Sequence, residues 1–276
     1  MNHCSPPPKK TFILGMGAQK AGTTWLHQYL ASYACADFGM HKEYHIWDAV
    51  FLESCAEFKV TPEMLVTNPG SSLTPNDPNI LRYSMQQFAG VYSGYFTNLL
   101  SGTKWLTGDI TPAYAGLSVK ALQHVKDAIE SAGMKIKIVF LMRDPFERCW
   151  SAVRMHKRTN AIAGSDEDCL AQCYRSEQFR FRTAYDETIK RLEQVFPSDA
   201  IFYGFYENLF TQTTLDRLAD FIGVEPNYSA INERFNESPK SERCGAALRA
   251  AVTSFYGDVY AYCHERFPET RALWKT

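Results

Sequence analysis

The segment GMGAQKAGTTWLHQYL, near the start of the chain, carries the residue types of a loop that binds an anion. Gly17 and Gly22 have the spacing of a standard phosphate-binding loop, in which a lysine follows the second glycine. Here Thr23 follows Gly22, and the lysine, Lys20, lies inside the loop. The backbone N–H groups of such a loop and the positive end of the next helix attract an anion, and Thr24 adds a second hydroxyl. We therefore expect an anion site here; the alternative is a plain turn with a threonine cap.

A second candidate anion ligand follows the clearest predicted strand, KIKIVFLMRDP (135–145). Arg143 ends this apolar run, and its planar guanidinium can bind a phosphate through two hydrogen bonds. Ser151 lies eight residues further on, about two turns into the next predicted helix. Ligands of parallel sheets bind at the carboxyl ends of the strands, so we expect Arg143 and Ser151 to share an anion. The alternative is a surface contact of Arg143 with Asp144 or Glu147.

Strands alternate with helices along the chain, which predicts an α/β fold with a parallel sheet flanked by helices on both faces. The predicted strands are 11–17, 104–114, 135–145 and 200–209, and the predicted helices are 23–33, 117–133, one starting at Pro145, 166–196, 213–224 and 245–267. Residues 48–100 break the alternation and read as a helical and looped insertion, a candidate substrate lid. We expect one domain over 11–276 after a flexible lead-in, 1–10.

Charge and composition exclude several classes of function. The net charge is −1, so the chain has no global basic field to recruit nucleic acid or an anionic membrane. It has no apolar run of about 18 residues for a spanning helix and no cleavable apolar segment at its start. These features favour a soluble, cytoplasmic protein whose cysteines are reduced. The cysteines are scattered without a zinc-binding pattern, so we expect no metal site.

Two of these segments resemble motifs of the sulfotransferase family. QKAGTTWL resembles the family's 5′-phosphosulfate loop, P-K-[SA]-G-T-T-W-L, and RDPFERCWS resembles its 3′-phosphate motif, R-[DN]-P-x-x-R-x-x-S. The donor in that family is 3′-phosphoadenosine 5′-phosphosulfate (PAPS), which has anions at both ends of its nucleoside. The resemblance implies a phosphate-loop-like fold, PAPS as co-substrate, 3′-phosphoadenosine 5′-phosphate as product and no required metal.

The resemblance also implies roles for individual residues. Lys20 would contact the sulfate and the bridging oxygen, Arg143 and Ser151 would hold the 3′-phosphate, and Tyr206 would lie near the adenine. The 5′-phosphate cradle and the adenine-side wall would comprise Ala21, Gly22, Thr23, Thr24 and Trp25. Lys240 and Arg243 are a loose match to the family's basic loop over the nucleotide.

The polar segment MHKEYHIWD (40–48) supplies the candidate base. It resembles the K-E-x-H-F-F segment of glycan-modifying sulfotransferases, in which the glutamate removes the acceptor's proton. This implies Glu43 as the base with His45 as its supporting partner; His45 as the base is the alternative. GDITPAY (108–114) resembles the E-K-[ST]-P-x-Y substrate-side loop of the same group. Ile110 replaces the lysine there, which weakens any expectation of a strongly anionic polysaccharide acceptor.

These inferences predict transfer of a sulfuryl group from PAPS to a hydroxyl, or as second choice an amine, of a small-molecule or glycan acceptor. A lysine over the bridging oxygen can neutralise the charge that develops on the leaving phosphate, which explains its displaced position. A kinase using ATP and magnesium and a non-catalytic nucleotide-binding module are the alternatives. The acceptor and the oligomeric state stay open, and we expect neither nucleic-acid binding nor membrane insertion.

Overall fold

The computed structural model of this chain describes residues 9–66, 77–160, 164–232 and 244–274. Its strands form one parallel sheet in the order β2-β1-β3-β4. They are β1 (Thr11–Gly15), β2 (Leu106–Ile110), β3 (Lys135–Met142) and β4 (Ile201–Phe205). Every residue of β1 and β2 is buried, and successive side chains point to opposite faces, so both faces of the sheet are covered. The predicted α/β fold is confirmed.

Helices connect and cover the strands. In chain order they are α1 (Thr23–Ala31), α2 (Trp47–Phe51), α3 (Pro62–Val66), α4 (Pro78–Gln87), α5 (Ala89–Leu99), α6 (Val119–Ser131), α7 (Pro145–Asn160), α8 (Asp166–Cys173), α9 (Glu177–Phe181), α10 (Tyr185–Val195), α11 (Gln212–Ile222), α12 (Ala246–Phe255), α13 (Gly257–Arg266) and α14 (Thr270–Leu273). Short 3-10 segments lie at Glu53–Phe58, Pro112–Gly116, Ser198–Ala200, Tyr206–Asn208 and Tyr228–Asn232.

Local sequence signals set several of these boundaries. Pro145 begins α7, where its missing N–H leaves no hydrogen bond unmade, and the Asp144 carboxylate accepts from the Glu147 amide at 3.0 Å. Gly133, at φ 78°, follows the end of α6 in the left-handed conformation that glycine tolerates. The sequence therefore predicted these helix ends for the right physical reason.

Two helix predictions were wrong in extent. Residues 166–196 form three helices rather than one long stretch; Ser176 begins the second, and the third follows Ala184, which makes no side-chain cap. Ser165 caps α8, and the Ser176 hydroxyl accepts from the Phe179 amide at 3.4 Å at the start of α9. Residues 245–267 likewise form two helices, α12 and α13, which meet at Tyr256.

The insertion after residue 48 is helical, as predicted, in the part that the structure describes: α2 to α5 and one 3-10 segment. One hydrophobic core runs from Phe12 to Trp274. The prediction that all cysteines are reduced is wrong for Cys35, which is disulfide-bonded. Most of the predicted N-terminal lead-in, and Lys240 and Arg243, lie outside the described residues. Within the described residues, no helix is both long and apolar enough to cross a membrane.

Candidate functional site

The loop after β1 needs glycine at two of its turns. Gly17 and Gly22 both lie in the left-handed region, at φ 103° and 93°. A Cβ atom on Gly17 would lie 2.8 Å from the carbonyl oxygen of Pro112, and one on Gly22 would lie 2.6 Å from Cδ2 of Leu209. Neighbouring loops therefore pack directly against the loop backbone, and α1 begins immediately after Gly22.

Arg143 joins the two predicted anion sites. Its Nη1 donates to the carbonyl oxygen of Lys20 at 3.2 Å, and its guanidinium lies over the Tyr206 ring, 4.4 Å from the centroid. The surface contact with Glu147 is also present but long, with 3.7 Å between Nη2 and Oε2. Lys20 has φ 69°, a conformation that costs a residue with a Cβ and must be held by its surroundings. The hydrogen bond from Arg143 helps to hold it.

A cluster of cations surrounds Lys20. The pKa of its ammonium group is lowered to about 8, first by burial and then by the positive charges of Arg158, Arg143, Lys42 and Arg154. Arg154 is 8% exposed, and no described residue accepts a hydrogen bond from its Nε. Within the described part of the chain, no carboxylate forms an ion pair with Lys20, Arg154 or Arg158. Such a group of unpaired cations suits a polyanionic ligand.

Sequence reasoning missed Arg154 and Arg158. They lie three and seven residues after Ser151 on α7, so all three side chains project from one face of that helix. This spacing was the available signal. Ser151 is 6% exposed, and its hydroxyl has no hydrogen bond to another described residue.

The remaining residues predicted to bind the donor lie in or next to the loop. Ala21 and Thr23 are buried, and Thr24 is half-buried at the start of α1. Trp25 is 2% exposed and stacks on Tyr29 with ring centroids 5.0 Å apart. Its ring therefore packs into the core, where it fixes α1 beneath the loop.

Glu43 and His45 form a chain of charged groups with Asp48. Glu43 pairs with Lys42, and its Oε2 lies 3.3 Å from Nε2 of His45. Nδ1 of His45 lies 2.6 Å from Oδ2 of the fully buried Asp48, and the imidazole stacks on Phe58 at 3.6 Å. Sequence analysis did not assign Asp48 a role, although its i+3 spacing from His45 was readable.

These contacts perturb two pKa values in opposite directions. Burial opposes the charge of Glu43, but hydrogen bonds from His45 and Lys42 outweigh it and lower the pKa of Glu43 to about 2. Burial likewise opposes the charge of His45, yet the bonds to Asp48 and Glu43 raise the pKa of His45 to about 9. At neutral pH His45 is therefore an imidazolium with both nitrogens engaged, an arrangement that favours the supporting role over the role of base.

The backbone of this loop is held from two sides. The amides of Tyr44 and Ile46 donate to Oγ1 of Thr111 at 3.0 Å and to the Tyr114 hydroxyl at 3.3 Å. On the other side, Arg82 donates to the carbonyl oxygen of Tyr44 at 2.8 Å. Helix α4 of the insertion also supplies Gln86, whose Nε2 donates to the carbonyl oxygen of His45 at 2.9 Å. This part of the insertion therefore positions the candidate base.

The carboxylates near three of the strand ends are engaged by protein donors. Glu207, after β4, accepts from the Asp144 amide at 2.9 Å and from Nε1 of Trp274 at 3.1 Å. Asp109, at the end of β2, accepts from three hydroxyls, and Asp144, after β3, accepts from the Tyr260 hydroxyl at 2.8 Å and from the start of α7. Among the described residues, no three histidine, cysteine or acidic side chains are grouped to hold a metal ion.

Comparison with solved structures identifies similar folds. A sulfotransferase from Alicyclobacillus acidocaldarius is 18% identical, with a TM-score of 0.58, over 92% of this chain and 94% of that chain. The sulfotransferase domain of the olefin synthase from Synechococcus PCC 7002 is also 18% identical, with a TM-score of 0.47, over 91% of each chain. At 18% identity, the match to the Alicyclobacillus acidocaldarius structure shows the fold alone.

No curated protein matches the sequence significantly. The model of the sulfotransferase family, however, matches residues 11–230, which include both predicted anion-binding segments, the Glu43 loop and all four strands of the described sheet. The chain therefore belongs to the sulfotransferase family.

Proposed function

We propose that this sulfotransferase uses PAPS as its donor and transfers the sulfuryl group to a hydroxyl of a small-molecule or glycan acceptor. The observation that carries the proposal is the set of unpaired cations at the carboxyl edge of the sheet: Lys20, Arg154 and Arg158, with Arg143 beside them. PAPS has an anionic group at each end of its nucleoside, so it would neutralise cations that are spread along such an edge. A ligand with one anionic end would leave part of the cluster unpaired.

In the proposed reaction a lone pair of the acceptor oxygen attacks sulfur. The bond between sulfur and the bridging oxygen breaks, and its electron pair stays on the 5′-phosphate of the nucleotide. Lys20 stabilises that developing charge. The acceptor's proton passes to the Glu43 carboxylate and then to water.

The low pKa of Glu43 limits how it can act as a base. The carboxylate is ionised throughout the physiological range, so it is always able to accept a proton, but its proton affinity is small. We therefore propose that the proton moves only after the new sulfur–oxygen bond has made the acceptor strongly acidic. His45 and Asp48 then stabilise the charge arrangement around Glu43 rather than take the proton themselves.

Thermal unfolding with 3′-phosphoadenosine 5′-phosphate, compared with ATP plus magnesium at equal concentration, tests the donor. A ligand that binds only the folded protein at a hundredfold excess over Kd adds about 2.7 kcal/mol to the free energy of unfolding. We expect a rise in Tm with the bisphosphate. A rise with ATP and magnesium alone would support the kinase alternative instead, and no rise with the bisphosphate would overturn the proposed donor.

Glu43→Gln separates binding from transfer in the same experiment. We expect the variant to keep the rise in Tm with the bisphosphate and to transfer labelled sulfur from PAPS at least about a hundredfold more slowly to a panel of phenols, alcohols and monosaccharides. If the variant transfers at the wild-type rate, Glu43 is not the base. If the wild-type protein transfers to none of the panel while it binds the bisphosphate, the acceptor class is wrong.

A further inference from the structure

Asp109 is a buried carboxylate that receives three hydroxyl groups. Its Oδ1 accepts from Oγ1 of Thr111 at 2.6 Å, and its Oδ2 accepts from the hydroxyls of Tyr114 at 2.6 Å and Tyr92 at 3.1 Å. The side chain is fully buried. An ionised carboxylate can only accept hydrogen bonds, so each of the three hydroxyls must point its single hydrogen at Asp109.

This direction determines what the hydroxyl oxygens offer to the rest of the protein. Thr111 and Tyr114 have given their hydrogens to Asp109, so their oxygens can only accept from other groups. They accept from three consecutive backbone amides: Tyr44 at 3.0 Å and His45 at 3.5 Å to Thr111, and Ile46 at 3.3 Å to Tyr114. A single carboxylate thus orients every one of these amide contacts.

The segment that these amides belong to needs to be held. His45 has φ 55°, a left-handed conformation that costs free energy for a residue with a side chain. The same residue must align one ring nitrogen with Glu43 and the other with Asp48. If the hydroxyl of Thr111 or Tyr114 reversed its direction, its hydrogen would point at the hydrogen of a loop amide. The loss of that hydrogen bond would release His45 from its left-handed conformation.

We propose that Asp109 is a positioning residue for proton removal: its carboxylate sets the direction of the hydrogen bonds that hold residues 44–46, and so fixes the relative positions of Glu43, His45 and Asp48. The expected effect of Asp109 on kcat rests on the proposed function, whereas its effect on the positions of these residues does not. The donor-binding residues Arg143 and Ser151 lie on other elements and make no contact with this network.

Acid should weaken the hydrogen-bond network through which Asp109 holds residues 44–46. Burial, together with the negative charge of Asp48 on α2, raises the pKa of Asp109 to about 6, although the hydrogen bonds from Thr111, Tyr114 and Tyr92 oppose the rise. The other titratable groups that face Asp109 are Tyr92 on α5 and Tyr114, together with Tyr44 in the loop, whose pKa values burial raises, so they stay neutral. Below pH 6 the protonated carboxyl can itself donate, and a hydroxyl of Thr111 or Tyr114 that accepts this hydrogen must point its own hydrogen away from Asp109, which disturbs its contact with the loop amides.

Asp109→Asn is the decisive variant because the amide has the shape of the carboxyl but always carries donor hydrogens. We expect kcat to fall at least tenfold while the Kd for 3′-phosphoadenosine 5′-phosphate changes less than twofold. The fall of kcat between pH 7 and pH 5 in the wild type should be much reduced in the variant. Thr107→Val is the matched control: Thr107 is buried on the same face of β2, and its hydroxyl has no hydrogen-bond partner among the residues that the structure describes.

Two Thr111 variants test the same link without touching the carboxylate. Thr111→Val should lose about as much kcat as Asp109→Asn, whereas Thr111→Ser keeps the hydroxyl and should retain most of it. The double variant Asp109→Asn with Thr111→Val should be no slower than the slower single variant, since both break one chain of bonds. These variants keep the proposal testable if Asp109→Asn does not fold.

The NMR resonances of the His45 ring distinguish this inference from the proposed function. They should move in Asp109→Asn and Thr111→Val but not in Thr107→Val, whatever reaction the protein catalyses. Unchanged His45 resonances, or an unchanged kcat in Asp109→Asn, would overturn the positioning role. Equal losses of bisphosphate binding and kcat would show that Asp109 serves only the fold. A wild-type protein that transfers no sulfuryl group would refute the proposed function and leave the NMR result to decide the role of Asp109.

Discussion

At the scale of single residues, Lys20 shows how the site is prepared for its ligand. Its ammonium group is partly buried among Arg158, Arg143 and Arg154, and none of the described carboxylates pairs with it. Its pKa in the free protein is lowered to about 8, which means that keeping the group charged at neutral pH costs folding free energy. A bound anion removes this cost. Part of the donor's affinity therefore comes from relief of the repulsion between Lys20 and the neighbouring arginines.

The lowered pKa of Lys20 predicts how donor affinity depends on pH. A bound anion raises the pKa of Lys20, so binding takes up a proton once the free protein has lost it. The Kd for 3′-phosphoadenosine 5′-phosphate should therefore be nearly constant from pH 7 to 8 and should rise above pH 8, by up to about tenfold per pH unit.

Calorimetric titration between pH 7.5 and 9.5 measures this effect, since the ligand's phosphates are fully ionised there. Lys20→Met, which removes the titrating group and nearly keeps the length of the side chain, should bind more weakly with little further change above pH 8. An equal pH dependence in the two proteins would assign the proton to another group, and His45, with a pKa of about 9, would be the next candidate.

At the scale of elements, helix α4 connects the insertion to the candidate base. Gln86 is buried, and its Nε2 donates to the carbonyl oxygens of both His45 and Phe58 at 2.9 Å. Its Oε1 accepts from the Val60 amide at 2.9 Å. One side chain thus satisfies three backbone groups: one in the Glu43 loop, one at the end of the 3-10 segment Glu53–Phe58 and one just after it.

Replacing Gln86 should cost stability because three backbone groups would lose their hydrogen bonds to its buried side chain. Gln86→Met keeps the volume but leaves them unpaired, and we expect the free energy of unfolding to fall by about 2–4 kcal/mol. Gln123→Met on the exposed face of α6 is the control and should change it by less than about 0.5 kcal/mol. Chemical denaturation measures the free energy of unfolding of both variants. Similar losses in the two would show that the hydrogen bonds of Gln86 make no special contribution to stability.

At the scale of the whole molecule, charge is balanced overall and concentrated locally. The net charge is −1, yet Lys20, Arg143, Arg154 and Arg158 meet at one edge of the sheet. Electrostatic attraction of the donor should therefore depend on where a charge lies rather than on how many there are.

Two arginine variants with the same net charge separate these possibilities. Arg154→Gln and Arg217→Gln each change the net charge from −1 to −2. Arg217 is exposed on α11 and lies over the Phe202 ring. We expect the Kd for 3′-phosphoadenosine 5′-phosphate to rise roughly tenfold in Arg154→Gln, which is about 1.4 kcal/mol. In Arg217→Gln it should stay within twofold. Equal effects would show that only the overall charge matters.

The sequence by itself determined the sheet, the positions of its strands and the glycine-dependent loop, and it identified the two segments that we propose to bind the anions of the donor. These features depend on residues close together in the chain: apolar periodicity for β3, a left-handed turn for Gly22, and a helix start for Pro145. It overestimated the length of the helix over 166–196, because serine caps such as Ser176 are weak local signals against a continuous helical pattern.

Only the tertiary structure decided how the candidate catalytic groups are held. Thr111 and Tyr114 contact the Glu43 loop across 67 and 68 residues of chain, and Gln86 contacts it across 41. Asp109 acts on that loop through them, and no spacing in the sequence encodes which hydroxyl will meet which amide. Directional hydrogen bonds between distant segments form only when packing brings the segments together. The sequence therefore identified candidate residues such as Glu43 and His45, but it could not show which groups hydrogen-bond to them.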